Sequence, residues 1–523
     1  MNRRVKTENG WVRGLPASDP RITSFKGIPY AAPPVGKNRW RAPQPCADWT
    51  EERKAFEFGP IGMQDRGKPG RENFWSREWA VDFDLPMSED CLYLNIWAPA
   101  DGYAVGAAEQ YRETEDTSVV SPGNLPVYIW FFGGGLQVGN TAEMEFDGER
   151  IARRGVVVVT VNYRLNVFGF MAHPELTAED PAAPANFGFL DQQYAIQWVK
   201  RNITAFGGNP ENITIGGQSS GGMSVCVQMG NPSNRGLFQK AILESAIFFP
   251  VYSNGRFFHT ELKTGEAHGI AFLEKLGVHS IEQARQIDGE TILAEALKMP
   301  PHFFDAVIDG AFVKGPANEW FMQPGHVICS LFMTFTDIEM IMSPSQVTSR
   351  KELRQLAESL DYVDVERFMA AFGSADDTDS IQEAGKVSGI ELAAHAISRY
   401  IADEAPLWLG QFSAEIPGWD HPGCFHSSDL WFYFENLAKC WRPFRGKHYD
   451  LSRQMCDYWT NFIRSGDPNG LGSDGYMLPD WPKLTRENPK QMCFGETALL
   501  QEATPSPIMD VLLDAYSRMH PKR

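Results

Sequence analysis

Two runs of this chain, "VYIWFF" (127–132) and "GVVVVTVNYR" (155–164), are apolar at nearly every position rather than at alternate ones. A strand of that kind leaves neither face for water, so both must be covered, as happens to parallel strands between layers of helix. "NITI" (212–215) and "KAILESA" (240–246) are further β-branched or aliphatic runs. Between the strands, "NFGFLDQQYAIQWVKRNITAFGG" (186–208) reads as a helix with Asn186 as N-cap and Gly207 and Gly208 as the stop. "GGMSVCVQMG" (221–230) suits a second helix. Strand, helix, strand, helix, strand in that order implies an α/β fold with a central, mostly parallel sheet joined by right-handed crossovers.

The first hundred residues differ, and the Pro- and Gly-rich "RITSFKGIPYAAPPVGKNRWRAPQP" predicts irregular or antiparallel structure leading into the sheet. Residues 101–124 are polar and are expected to form a surface loop. Residues 260–300 and 350–405 carry helical periodicity without buried strands, as helices inserted above a sheet would. "HYDLSRQMCDYWTNFIRSG" (448–466) is a late helix stopped by Gly466. No Ser- or Pro-rich linker divides the chain, so residues 1–523 are expected to form one domain with helical insertions around 250–420.

Charge narrows the partners. The formal net charge of −18 argues against nucleic acid and against anionic membranes, which both need clustered Lys and Arg. No stretch approaches the roughly 20 apolar residues of a membrane span. The opening "MNRRVKTENGWVRGLP" has no apolar core behind its arginines and is not expected to be a secretory leader. Eight cysteines (46, 91, 226, 329, 424, 440, 456 and 493) form neither a zinc-ligand pattern nor a redox CxxC. Reduced thiols in a cytoplasmic protein, with no cofactor and no metal, are the expectation.

Chemistry concentrates in "GGQSSGG" (216–222), which follows the strand run "NITI" and precedes a helix. Gly-x-Ser-x-Gly alone is a common turn, but this one falls at the carboxyl end of a parallel strand, where ligands gather. Gly217 and Gly221 would allow a tight turn against neighbouring backbone, exposing the Ser219 hydroxyl. The Ser220 N–H would then sit at a helix N-terminus, aimed where an oxyanion forms. "GGG" at 133–135 ends a neighbouring strand and offers further N–H donors.

Further segments tie the chain to a family. "FKGIPYAAPPVGKNRW" (25–40), "SEDCLYLNIWAP" (88–99), "FFGGG" (131–135), "VTVNYRLNVFGF" (159–170) and "AFGGNPENITIGGQSSGG" (205–222) occur in the order typical of type-B carboxylesterases. "FHSSDLWFYF" and "YWTNFIRSGDPNG" extend the resemblance over nearly the whole chain. This is the cholinesterase-like branch of the α/β-hydrolase family. The resemblance implies that fold, with inserted helices roofing the active site, and hydrolysis of a small-molecule carboxylic ester through an acyl-enzyme. It implies Ser219 as nucleophile and Gly134, Gly135 and Ser220 as oxyanion donors.

The order Ser, acid, His leaves His395, His421, His426, His448 and His520 as bases. His395 lies in a helical stretch, His448 opens the late helix and His520 is in the tail; His426 matches the family's histidine loop. For the acid, "VICSLFMTFTDIEMIMSP" (327–344) lacks the family's glycine. Aligning on Thr334 favours Asp337, and sliding by two gives Glu339. Gln218 stands where cholinesterases carry a glutamate, and Gly62 stands where the partner of Cys91 in the family's first disulfide would be. The same machinery could serve a lactone, an amide or acyl transfer to another alcohol. A non-catalytic, adhesion-type relative is the alternative of a different class, disfavoured because both serine and histidine are present. The aromatic clusters "IFFPVY" (247–252) and "PPHFF" (300–304) are candidates for core or for a substrate pocket.

Overall fold

The computed structural model describes residues 3–67, 74–79, 82–100, 124–254, 260–320, 323, 325–327, 329–402 and 404–519. The polar segment expected to be a surface loop lies, but for Asn124, outside the described residues.

Eleven strands form the central sheet: β1 (Leu15–Pro16), β2 (Ile22–Pro29), β3 (Tyr93–Pro99), β4 (Leu125–Phe131), β5 (Val157–Val161), β6 (Gly208–Gln218), β7 (Lys240–Glu244), β8 (Ser330–Thr336), β9 (Leu407–Phe412), β10 (Lys490–Phe494) and β11 (Ala498–Glu502). Their order across the sheet is β11-β10-β9-β8-β7-β6-β4-β5-β3-β2-β1. Strands β5, β4, β6, β7, β8, β9 and β10 are mutually parallel. The early strands β1, β2 and β3 and the edge strand β11 pair antiparallel, as the irregular N-terminal composition suggested.

Continuous apolar runs sit where both faces are covered. Along β4, Val127, Ile129 and Phe131 belong to one core cluster, whereas Tyr128 and Trp130 belong to the other. Helices α1 (Phe187–Asn202), α6 (Gly389–Ile401) and α8 (Pro507–Met519) supply the first cluster; α7 (Gly446–Ser465) packs Met455, Tyr458 and Trp459 into the second. Val157, Val158, Val159 and Val161 of β5 have no exposed surface. Each such side chain contributes about 1.5–3 kcal/mol relative to leaving it in water. The segments between β7 and β9 hold α3 (Leu262–Lys275), α4 (Gly289–Ala296), α5 (Arg350–Ser359) and α6, alongside strand β8.

The family-like motifs are largely structural locks. Asn95 accepts from the Gly27 N–H at 2.9 Å and donates to Thr141 and Thr160 hydroxyls at 2.9 and 3.0 Å, joining β2, β3 and β5. Arg164, just past β5, makes a fork to Asp191 of α1 at 2.8 and 2.7 Å, both side chains buried. Losing one partner of such a pair costs about 3–5 kcal/mol.

One local expectation is refined. Asn186 stands at the N-cap position of α1, but its side chain does not cap the helix: its backbone is left-handed (φ 56), and its side chain donates to Val307 O and Asp309, both at 2.8 Å. The aromatic run after His426 forms a short helix, Leu430–Tyr433. α1 ends at Asn202 and a 3-10 turn, Ile203–Phe206, carries the chain to Gly207, left-handed at φ 88; α7 is stopped by Gly466 as expected, at φ 80.

Candidate active site

Five neighbouring parallel strands deliver their carboxyl ends to one place. Ser219 follows the last residue of β6 and precedes α2 (Ser220–Gly230) with φ 56 and ψ −128, a strained combination for a residue with a side chain. The turn is fixed from both sides, Ser219 N–H donating to Glu244 O and Met223 N–H to Ser219 O, each at 2.9 Å. A Cβ on Gly217 would strike the Gly221 carbonyl, and one on Gly221 would strike the Phe131 carbonyl oxygen. Only glycines allow β4, β6 and α2 to approach this closely. Ser219 keeps partial exposure between buried Gln218 and Ser220.

The loop after β4 lies against that turn. A Cβ on Gly133 would come within 3.0 Å of Ser219 Cβ. Gly134 and Gly135 have φ 111 and 63, conformations glycine enters without cost. The Leu136 N–H donates to Ser220 Oγ at 3.1 Å, stapling loop to turn. Gly134, Gly135 and Ser220 are thereby brought beside Ser219.

His426 lies in the loop between β9 and the short helix, its ring 13% exposed. Its Nδ1 is 2.5 Å from Glu339 Oε2, and its Nε2 is 3.2 Å from Gln218 Nε2. With the proton on Nδ1 donated to the carboxylate, the Nε2 lone pair accepts from the Gln218 amide. The His426 ring therefore rests against the residue preceding Ser219.

The favoured acid, Asp337, is not the residue that meets His426; the alternative, Glu339, is. Asp337 follows directly on β8, its N–H donating to Phe412 O at 2.9 Å and its Oδ1 accepting from Gln411 at 2.8 Å. Burial and then Glu391 raise its pKa above the ordinary carboxylate range. Beyond Thr336 the chain leaves the extended conformation and wraps back over the strand end, with Met340 at φ 47. That turn buries Glu339 among exposed neighbours and lets its Oε1 accept from the Thr336 N–H at 2.8 Å and the Ser245 hydroxyl at 2.7 Å. Alternation along a strand fails at such a turn, and two-residue spacing no longer means the same face.

The other histidines stand elsewhere. His395 is buried on α6, 3.7 Å from Glu391, His448 accepts from the Arg445 N–H in the first turn of α7, and His421 is exposed in its loop. His520 lies outside the described residues. Gln218, noted in the sequence only as a departure from cholinesterases, and two groups that sequence reasoning missed join the site. Gln218 touches the His426 ring; Ser245 holds the Glu339 carboxylate; Asp429, three residues past His426, is buried with neither carboxyl oxygen meeting a donor among the described residues. Burial and then the Glu339 charge push the Asp429 pKa upward. The Glu244 carboxyl, also raised by burial and then by Asp429, accepts from Trp459 Nε1 at 2.6 Å.

All eight cysteines are free thiols, and a Cβ on Gly62 would lie 3.6 Å from Cys91 Sγ, so position 62 does adjoin Cys91. Ile247, Phe249 and Val251 of the first aromatic cluster and Phe304 of the second are core residues, whereas Pro300, Pro301 and His302 are exposed. Among the described residues no helix is long and apolar enough to cross a membrane.

The carboxylesterase family model matches residues 1–371 and 374–506, so this chain belongs to the carboxylesterase family and is an ester hydrolase of the α/β-hydrolase fold. It is similar to the para-nitrobenzyl esterase of Bacillus subtilis (strain 168), 30% identical over 512 residues, which cover 92% of this chain and 93% of that protein. It is also 29% identical to the fumonisin B1 esterase of Sphingopyxis macrogoltabida, over 94% of this chain and 86% of that one. Among solved structures, a PNB esterase superimposes with a TM-score of 0.76 at 26% identity, covering 98% of this chain and 99% of the other. A carboxylesterase of Geobacillus stearothermophilus gives 0.70 at 28%, covering 96% and 98%.

Proposed function

We propose that this esterase is a serine carboxylesterase using Ser219 as nucleophile, His426 as base and Glu339 as the acid that orients it. The observation that carries the assignment is the 2.5 Å contact between His426 Nδ1 and the buried Glu339 carboxylate, made beside the strained Ser219 turn. Glu339 fixes the tautomer whose Nε2 lone pair can take the Ser219 proton, and its charge stabilises the imidazolium that results. The serine oxygen attacks the ester carbonyl, and the N–H groups of Gly134, Gly135 and Ser220 receive the negative charge. His426 then protonates the leaving alcohol, and water, deprotonated by the same ring, releases the acid from the acyl-enzyme. For Ser219 to donate, the Gln218 amide must yield its place at Nε2 when substrate enters.

Ser219→Ala is expected to abolish both turnover of p-nitrophenyl esters and covalent labelling by a fluorophosphonate. Its melting temperature should stay near that of the parent, because the side chain is small and partly exposed at the turn. Labelling that persists in the variant would remove Ser219 as nucleophile.

A further inference from the structure

One ionisable group beside the oxyanion loop has no part in this mechanism. His302 follows Pro301 in the turn that precedes Phe303 and Phe304, and a Cβ on Gly135 would lie 3.4 Å from its Cε1. The ring is half exposed, and its Nδ1 is 3.1 Å from Asp305 Oδ2, whose side chain is only 13% exposed. The backbone at His302 is left-handed (φ 58), a conformation that residues with a side chain adopt only where the surroundings hold them. Here they do. Gln137, three residues after Gly134, donates to Phe304 O at 2.8 Å, and the His268 ring stacks on Phe303 and meets its carbonyl at 3.0 Å. The segment is clamped to the oxyanion loop on one side and to α3 on the other.

An exposed surface histidine has no need of a strained backbone, an orienting carboxylate or contact with an oxyanion glycine. With Nδ1–H given to Asp305, the ring keeps its remaining nitrogen free of that bond and sets its Cε1 beside Gly135. Asp305 is the charged group that acts on the ring, and its hydrogen bond raises the His302 pKa. Burial raises that of Asp305 in turn. Protonated, the ring is a cation beside the Gly135 backbone in a protein whose formal net charge is −18.

We infer that His302 is a specificity-determining residue that binds a free carboxylate carried by the ester substrate, so that esters of dicarboxylic or hydroxy acids are preferred over neutral ones. The inference rests on the esterase reading above. A carboxylate in reach would accept a charge-assisted hydrogen bond from the ring, stronger than a neutral one.

Two pairs of substrates test it: monoethyl glutarate against ethyl valerate, with the extra carboxylate on the acyl side, and 3-acetoxypropanoate against propyl acetate, with it on the alcohol side. In at least one pair kcat/KM should favour the carboxylate by about tenfold, the scale of one charged hydrogen bond at a half-exposed position. The preference should be present at acid pH, fall as His302 loses its proton, and fall about tenfold in His302→Gln at acid pH. If the variant does not fold, the pH dependence of the wild-type ratio decides alone. A wild-type ratio near one in both pairs, or a ratio the variant leaves unchanged, overturns the inference while hydrolysis of ethyl valerate keeps the esterase reading. Failure to hydrolyse any of the four overturns both.

Discussion

Replacing Glu339 by glutamine removes one charge and forces a choice on every donor around it. The Thr336 N–H and the Ser245 hydroxyl both point at one carboxylate oxygen, at 2.8 and 2.7 Å, so the amide oxygen of a glutamine is drawn there. Its NH2 then faces His426 Nδ1, where the native ring also presents a proton. The imidazole can answer only by moving that proton to Nε2, which sets it against the Gln218 amide 3.2 Å away and leaves no lone pair for Ser219. The wrong tautomer of a serine triad costs on the order of 10⁴ in kcat, about 5 kcal/mol of transition-state stabilisation. Asp337→Asn, by contrast, alters only the exposed bond to Gln411, and its effect should stay within about twofold. Steady-state hydrolysis of a p-nitrophenyl ester, with a thermal melt to confirm folding, separates the two. An Asp337→Asn enzyme that collapses beside a Glu339→Gln enzyme within tenfold of the parent would refute the assignment.

The two glycines proposed as oxyanion donors should behave differently. A Cβ on Gly134 runs into the Val138 carbonyl at φ 111, so Gly134→Ala is expected to lose about 10²–10³ in kcat, whereas Gly135→Ala meets only the His302 ring and should lose less. Equal losses would place the steric reasoning in error. Asp429 holds its proton more tightly folded than unfolded, because burial and then Glu339 oppose ionisation. Its contribution to stability is therefore complete below about pH 4, the unfolded range, and is lost as pH rises through the raised folded value. Asp429→Asn should flatten the fall in melting temperature over that rise, and an unchanged slope would show that Asp429 is not the group responsible.

Much of this was legible in the residues for a physical reason. Strands covered on both faces, such as β4 and β5, need apolar side chains throughout, and that pattern is visible without a partner. The Ser219 turn was legible because glycine is required wherever backbone touches backbone, and the structure sets Gly217 and Gly221 against carbonyls. Chain order left five histidines, and the resemblance to the family's histidine loop singled out His426. Glu339 was harder, since its burial comes from a turn that no periodicity describes. Asn186 looked like a cap because its type suits one; its left-handed backbone turns the side chain to Val307 instead. Gln218, Ser245 and Asp429 carry no local signal, as each acts through a residue distant in the chain.

The pairings at the site span long stretches of sequence: 87 residues separate Glu339 from His426, and 208 separate Gln218 from it. Contacts of that separation form late, after the entropy of closing the intervening chain has been met. Hydrolysis is therefore a report on completed folding rather than on local order. During synthesis, a chain extended only to Phe412 holds Ser219 and Glu339, just past the strands either side of β7, and still lacks His426. On the proposed assignment, catalysis cannot begin on the ribosome until the His426 loop has followed.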